Sequence, residues 1–155
     1  MSESSLKSRL KDEMKAAMRA RDRMRLDAIR LILAEIQRVE VDERAELDNA
    51  RVLAVLDRMT KQRRDSAAQY RSAGREELAA QELAEIEIIA DFLPTALSAA
   101  EITALIERAI AGSGASSARD MGKVMALLKP ELQGRADIGA VSTQVKTRLG
   151  QGCAE

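Results

Sequence analysis

Apolar residues recur at helical spacing along almost the whole chain. Two N-terminal stripes advance in steps of three and four residues: Leu6, Leu10, Met14, Ala17 and Leu26, Ile29, Leu33, Ile36. Such spacing predicts amphipathic α-helices. The 155 residues include one Tyr, one Phe and no Trp, so the core has to be aliphatic, which suits packed helices better than a sheet sandwich. The chain is therefore predicted to be all-α, with seven helices and no strand.

Capping and helix-breaking residues divide the chain. Asp48 is a suitable N-cap for the third helix, which should stop before Gly74. The fourth helix should end at Phe92-Leu93-Pro94, because the residue before a proline is pushed out of helical geometry. The predicted parts are an N-terminal subdomain of about four helices over residues 1–93, a C-terminal three-helix module over residues 94–150, and a tail over residues 151–155.

Similar signals define the three helices of the C-terminal module. Ser98 begins a capping box for the first of them. Ser117 and Asp120 resemble a second capping box, and Pro130 is expected to end the helix that they begin. Asp137 is expected to cap the last helix.

The residue types that are missing exclude much enzyme chemistry. The chain has no His and one Cys, which removes Ser-His-Asp triads, Cys-His dyads and His-based zinc sites. Cys153, near the C-terminus, is interpreted as an ordinary tail thiol, in keeping with a reducing compartment. We therefore predict no catalytic residue, no metal site and no cofactor.

The net charge is zero but unevenly distributed. Residues 1–75 carry 18 basic and 13 acidic side chains, whereas residues 76–93 carry six acids and no base. The acids can in principle pair for acid–base catalysis or bind Mg²⁺, but a solvated helix face is the favoured interpretation. The basic half contains two stripes, Lys7, Lys11, Lys15, Arg19 and Lys61, Arg64, Arg71, Arg75. These can hold phosphates, although interspersed acids favour an ordinary charged surface.

A second phosphate-binding pattern lies in the C-terminal module. The Gly- and Ser-rich segment 112–117 leads into a helix with Arg119 and Lys123 in its first turns. Free backbone N–H groups at such a helix start, together with positive charge, can hold a phosphate. The segment matches neither a P-loop nor a dinucleotide fingerprint, and a flexible linker is the favoured alternative.

No targeting or membrane segment is visible. The N-terminal residues contain no apolar signal-peptide core, and Glu3, Asp12 and Glu13 argue against an organelle transit peptide. No stretch offers the roughly 18 uncharged apolar residues of a membrane span. A cytoplasmic protein with no membrane partner is expected.

Two motifs resemble a known family. Asp120-Met121-Gly122-Lys123-Val124-Met125 and Gly134-Arg135-Ala136-Asp137 are similar to the pattern of the YqeY-like family. Further similar stretches extend the resemblance from about Leu6 to Leu149: residues 61–66, 73–78, 85–87 and 92–94. This family shares its C-terminal module with the tail of the B subunit of the tRNA-dependent amidotransferase. The resemblance implies an all-helical bacterial protein with a C-terminal three-helix module.

The resemblance implies a function without an active site of its own. We expect a non-catalytic tRNA-binding or adaptor protein, with tRNA and the amidotransferase or aminoacyl-tRNA machinery as possible partners. An alternative is an accessory component of glutamine-dependent amidation of misacylated tRNA, that is, of a carbon–nitrogen ligase whose other subunits supply the nucleophile and the nucleotide site. A second alternative is a protein–protein interaction module.

The motif residues divide into cations and structural residues. The cations expected to meet a phosphate are Lys123, Arg135, Lys129 and Arg119. Gly122 inside a helix costs about 1 kcal/mol relative to Ala, which indicates close approach of another helix or of a ligand. Gly134 fits a loop that needs positive φ, and Asp137 fits a cap.

Overall fold

The structure, a computed structural model, describes residues 5–151; Cys153 and most of the predicted tail therefore lie outside the described residues. Seven α-helices and a short 3₁₀ helix (Ala118–Asp120) follow one another: α1 (Leu6–Ala20), α2 (Arg23–Glu43), α3 (Asn49–Ser72), α4 (Glu76–Ala90), α5 (Ala99–Ser113), α6 (Met121–Leu132) and α7 (Ile138–Gln151). No strand occurs between residues 5 and 151. The prediction of an all-α chain, with four helices followed by three, is confirmed.

The chain forms two compact units, which we call the N-terminal unit (Met1–Pro94) and the C-terminal unit (Thr95–Glu155). The N-terminal unit contains α1 to α4, and the C-terminal unit contains α5 to α7. Each unit has a hydrophobic core of its own.

The core of the N-terminal unit is built around α2, which packs against α1, α3 and α4. The predicted stripe of α2 faces this core, with Ile29 and Ile36 fully buried. Phe92, just beyond α4, is the bulkiest side chain in it. The other fully buried members are aliphatic: Leu10, Ile32, Val52, Leu56 and Ile89.

The local signals of this unit correctly predict the bounds of α3, whereas α4 ends slightly before the predicted Phe92-Leu93-Pro94. Asp48 Oδ1 accepts a hydrogen bond from Arg51 N at 2.9 Å and caps α3. The same helix ends at Ser72, just before Gly74 with its φ of +74°. After α4 ends at Ala90, the backbone N–H groups of residues 91–93 each bond to the carbonyl three residues earlier. This tight turn carries the chain to Pro94, which has no backbone N–H and cannot donate the next bond of the series.

The core of the C-terminal unit lies between α5, α6 and α7. Every fourth residue of α6 is buried, as Val124, Leu128 and Leu132 are, and α7 contributes Val141, Val145 and Leu149 in the same way. Ser98 Oγ accepts a hydrogen bond from Glu101 N at 3.2 Å, so the predicted cap of α5 is confirmed.

The second predicted capping box forms only in half. The Ser117 side chain makes no cap hydrogen bond, because the 3₁₀ helix Ala118–Asp120 precedes α6 and moves its start to Met121. The Asp120 carboxylate turns back instead, and its Oδ2 accepts a hydrogen bond from Ser116 N at 3.0 Å. The Ser117 backbone N–H also interacts with this carboxylate and helps to lower its pKa, so the Asp120 half of the box is present and the half that needs the Ser117 hydroxyl is missing.

The prediction that Pro130 ends its helix is wrong, since α6 continues to Leu132. A proline removes one helical hydrogen bond and crowds the carbonyl four residues earlier. Here that carbonyl belongs to Ala126, on the exposed side of α6. Burial of Leu132 in the core favours the additional residues of helix.

Candidate nucleic-acid interface

The solvent-exposed face of α6 has little side-chain bulk along its centre. Gly122, Ala126 and Pro130 follow one another at intervals of four residues and are all exposed. At about 100° per residue, Lys123 and Lys129 lie on opposite borders of this row. Both lysines are exposed. The arrangement gives an approaching ligand access to the helix surface between two positive charges; we call it the α6 face.

The Lys123 side chain is 71% exposed and its charge is only weakly engaged. Its Nζ lies 3.8 Å from Asp120 Oδ1, a long contact that leaves most of the lysine side chain in solvent and contributes little to stability. Arg119 is exposed in the 3₁₀ helix that leads into α6. Three of the four predicted cations, Arg119, Lys123 and Lys129, are thus presented on α6 or immediately before it.

Asp120 introduces a negative charge beside these cations. The hydrogen bond from the Ser116 backbone N–H lowers the pKa of the Asp120 carboxyl, and the charge of Lys123 acts in the same direction. The carboxylate therefore stays ionised at neutral pH. It reduces the net positive charge at the start of α6, where the two exposed cations Arg119 and Lys123 still outnumber it.

Arg135 differs from the other three predicted cations because its side chain is tied to the fold. Its Nε donates a hydrogen bond to the Thr95 carbonyl at 3.1 Å, while its own carbonyl accepts one from Leu97 N at 2.9 Å. These bonds join the loop after α6 to the segment that leads into α5. Arg135 therefore positions the loop. The sequence does not reveal this role, because the residue that Arg135 binds is 40 positions away.

The expectation of a close helix approach at Gly122 is wrong for the part of the chain that the structure describes. Gly122 is the second residue of α6, and a Cβ added there would meet nothing within 4 Å. Gly134, by contrast, has a φ of +75° in the loop after α6. Asp137 Oδ1 accepts hydrogen bonds from Gly139 N at 2.9 Å and Ala140 N at 3.4 Å at the start of α7.

The first basic stripe is only partly available to a ligand. Lys7 Nζ lies 2.8 Å from Glu40 Oε2, and this hydrogen-bonded carboxylate raises the pKa of Lys7. Its charge is therefore compensated. The other three members, Lys11, Lys15 and Arg19, are exposed along α1.

The second basic stripe is also partly compensated, and only three of its four members lie on α3, because Arg75 follows that helix and precedes α4. Arg71 lies 3.7 Å from Glu76, while Lys61, Arg64 and Arg75 are exposed. Arg63, which lies outside the predicted stripe, makes a closer contact, with its Nε 2.8 Å from Glu85 Oε2 and both side chains largely buried. The acidic segment is therefore not simply a solvated face, since Glu85 binds α4 to α3.

Sequence reasoning also missed a cluster around Phe92. The guanidinium carbons of Arg9 and Arg25 lie 5.2 and 5.6 Å from the centroid of the Phe92 ring. Arg25 also forms ion pairs with Asp91 at 2.7 Å and Glu13 at 3.1 Å. The cluster joins the end of α4 to α1 and α2. Arg9 and Arg25 therefore have a structural role here, whereas a count of charged residues in the sequence treats them only as surface charge.

Residues 5–151 contain neither a metal-ligating cluster nor a helix suited to crossing a membrane. No group of three or more metal-ligating side chains lies close enough together there to hold an ion. None of the helices in that range combines the length and apolar character that crossing a membrane requires.

A groove of about 260 Å³ between α5 and α7 is lined by Thr103, Ile106, Thr143, Gln144, Thr147 and Arg148. Each of its threonine hydroxyls donates a hydrogen bond to the carbonyl four residues earlier. Arg148 is paired with Glu107 at 2.9 Å. The polar groups of the groove thus serve the helices themselves, and the α6 face remains the surface best suited to an anionic ligand.

Comparison with known proteins identifies relatives in fungi. The relatives include "Altered inheritance of mitochondria protein 41, mitochondrial" of Pyrenophora tritici-repentis, 27% identical over 146 residues that cover 92% of this chain and 80% of the relative. The proteins of the same name from Clavispora lusitaniae and Lachancea thermotolerans are 39% identical over 88 residues and 36% identical over 101 residues. Those alignments cover 57% and 63% of this chain, and only about half of each relative: 51% and 54%.

These relatives contradict two expectations. The chain was expected to be bacterial and cytoplasmic, whereas the matching relatives are fungal and carry names of mitochondrial proteins. Both expectations are wrong. The cytoplasmic one was based on the absence of a recognisable targeting segment, and such an absence does not determine a compartment.

The two motifs that carry the resemblance lie at the start of α6 and in the loop that follows this helix. The family model described as "Yqey-like protein" matches residues 7–149, which is nearly the whole described chain. The chain belongs to the YqeY-like family.

Proposed function

We propose that this protein is a non-catalytic tRNA-binding or adaptor protein that contacts tRNA through its C-terminal unit. The observation that carries the proposal is the α6 face, where Lys123 and Lys129 border a row of small exposed residues. Membership of a family whose C-terminal module resembles the amidotransferase tail supports tRNA as the ligand.

The chemistry of the α6 face favours the phosphate backbone over the bases. Lysine ammonium groups bind phosphates as point charges, and the small residues between them let a backbone approach closely. Both rings of the chain, Tyr70 and Phe92, belong to the N-terminal unit, so the C-terminal unit offers none on which a base can stack. Recognition therefore depends on charge and shape, and the affinity should fall steeply as salt rises.

The N-terminal unit can add further phosphate contacts. Lys11, Lys15 and Arg19 are exposed along α1, Lys61 and Arg64 along α3, and Arg75 immediately before α4. Lys7 and Arg63 are excluded from this role because carboxylates of Glu40 and Glu85 already pair with them. Substitution of the exposed cations should weaken binding, whereas substitution of the paired ones should mainly affect stability.

The test is a fluorescence titration of the full chain with bulk tRNA at low and physiological salt, with duplex DNA as competitor. The double variant Lys123→Gln, Lys129→Gln should bind more weakly, and its slope of log affinity against log salt should be smaller by about one unit for each lysine. The matched control is Arg108→Gln, Lys146→Gln, which removes the same charge at exposed positions of α5 and α7. An equal loss of tRNA affinity in both double variants would mean that binding depends on the overall charge of the protein and not on a defined site at α6.

Two further outcomes separate the alternatives. Saturable binding with a preference for tRNA over DNA supports the proposal, whereas no preference at either salt concentration would point to a protein-docking module. Release of ammonia from glutamine by the purified chain, assayed with a misacylated tRNA, is expected to be absent. Sustained turnover in that assay would overturn the non-catalytic part of the proposal.

A further inference from the structure

Helix α2 carries apolar side chains on the face that points away from the core. Met24, Leu31 and Val41 are 54%, 50% and 67% exposed. The opposite side of the same helix is fully buried in the N-terminal unit, as at Ile32. Large exposed aliphatic side chains are unremarkable singly, but three on one face of one helix indicate a contact surface.

The exposed residues of this face follow a coiled-coil spacing. Steps of three and four residues alternate along six exposed positions: Met24, Asp27, Leu31, Ala34, Arg38 and Val41. This alternation places the six side chains in one seam, the arrangement through which two helices pack. We call these six residues the α2 seam.

We propose that the α2 seam binds the α2 seam of a second copy of this chain, in an antiparallel pair related by a twofold axis. The axis passes between Ile32 and Leu33, at the middle of the seam. Met24 then faces Val41 of the second copy at both ends of the contact, and Leu31 faces Ala34 in the two central layers. A large side chain thus meets a smaller one in each apolar layer, as interdigitated packing requires.

Charge complementarity selects this occupant and this direction. In the antiparallel pair Asp27 faces Arg38 of the second copy, and twofold symmetry makes this opposite-charge contact twice. A parallel pair would instead place Asp27 against Asp27 and Arg38 against Arg38, which is unfavourable. The seam is therefore complementary to itself in the antiparallel direction only.

The charges of the seam are already paired within α2, but Arg38 can keep these partners and bind one more carboxylate. Arg38 lies 2.6 Å from Glu35 and 3.0 Å from Asp42, and Asp27 lies 3.9 Å from Arg30. Arg38 uses two N–H groups for Glu35 and one for Asp42, so two of its five donors are left for Asp27 of the second copy. The 21 residues of α2 span roughly 30 Å, which gives a small interface and a dimer whose population depends on concentration.

The test uses charge exchange on the full chain, with mass measured by analytical ultracentrifugation over a range of concentrations. In a homodimer of Asp27→Arg, the new arginine at position 27 faces Arg38 of the other copy at both contacts. In a homodimer of Arg38→Glu, the new glutamate at position 38 faces Asp27 of the other copy at both contacts. Each variant should dimerise at least about tenfold more weakly than the wild type. An equimolar mixture of the two variants restores both opposite-charge contacts, and heterodimers should form at wild-type strength.

Controls separate the seam from general effects. Asp65→Arg makes the same charge change at an exposed position of α3 and should leave dimerisation unchanged. Leu31→Glu should abolish the dimer without loss of helix content, because the side chain is half exposed in the folded chain. A wild type that stays monomeric at millimolar concentration, or a variant mixture that fails to associate, overturns the proposal. The measurement contains no RNA, so its outcome is independent of tRNA binding.

Discussion

Gly122 offers a direct test of how the α6 face is built. Glycine inside a helix is about 1 kcal/mol less favourable than alanine, because its backbone loses more freedom on folding. The backbone at Gly122 is helical and a Cβ would meet nothing within 4 Å, so alanine fits without strain. Gly122→Ala should therefore raise the free energy of unfolding by up to about 1 kcal/mol.

This gain is large enough to measure. For a domain of roughly 60 to 100 residues, 1 kcal/mol corresponds to about 4 to 8 °C in Tm. Thermal and urea unfolding of wild type and variant, followed by far-UV circular dichroism, give the difference. Gly134→Ala is the matched control, because its φ of +75° places the new side chain in the left-handed region, where a loss of about 1 to 2 kcal/mol is expected.

The tRNA titration of the same variant tests why glycine occupies this position. If a phosphate backbone approaches the start of α6, the added methyl group should weaken binding while the protein becomes more stable. A lower stability for Gly122→Ala would refute the structural reasoning, since it would require a neighbour that the open surface lacks. Higher stability with unchanged tRNA affinity would agree with the structure of α6 and would show that Gly122 is not part of the surface that contacts tRNA.

Three other predictions concern stability. Phe92→Ala removes the bulkiest core side chain of the N-terminal unit and should cost about 3 to 5 kcal/mol in urea unfolding. Ser98→Ala removes the cap of α5 and should cost about 1 kcal/mol by the same measurement, whereas no loss would show that water replaces the hydroxyl. The lowered pKa of Asp120 means that its ionised form stabilises the fold fully above the ordinary value of 3.8, and that this stabilisation disappears as the pH falls through the lower folded-state pKa. Asp120→Asn should therefore reduce the loss of Tm between pH 5 and pH 2, and an unchanged pH dependence would contradict that assignment.

Local signals predicted the helices and several of their ends. Asp48 and Ser98 act on backbone groups three residues away, and Gly74 stops α3 by its own φ. Such interactions depend on sequence neighbours alone, so a pattern is sufficient to predict them. Pro130 was misjudged because burial of Leu132, a tertiary interaction, outweighs the local preference of proline.

The candidate site was less predictable because its residues act across long sequence distances. The motif identified Lys123 and Lys129 as cations, and the helical period leaves them exposed. It did not distinguish Arg135, whose guanidinium bonds to the carbonyl of Thr95. The Arg25 to Asp91 pair joins residues 66 positions apart, and no periodicity in the sequence encodes such a contact.

The placement of the rings has a spectroscopic consequence. Tyr70 and Phe92 lie in the N-terminal unit, and no other aromatic residue occurs in the sequence. Near-ultraviolet dichroism and ring-current shifts of methyl resonances therefore report on that unit alone, whereas far-ultraviolet dichroism reports on the helices of both. Recording the two signals in one denaturation experiment reveals whether the units unfold together or in sequence. A tryptophan introduced into the C-terminal unit would be the first aromatic residue of that unit, and its fluorescence, excited at the long-wavelength edge where tyrosine does not absorb, would report on that unit alone.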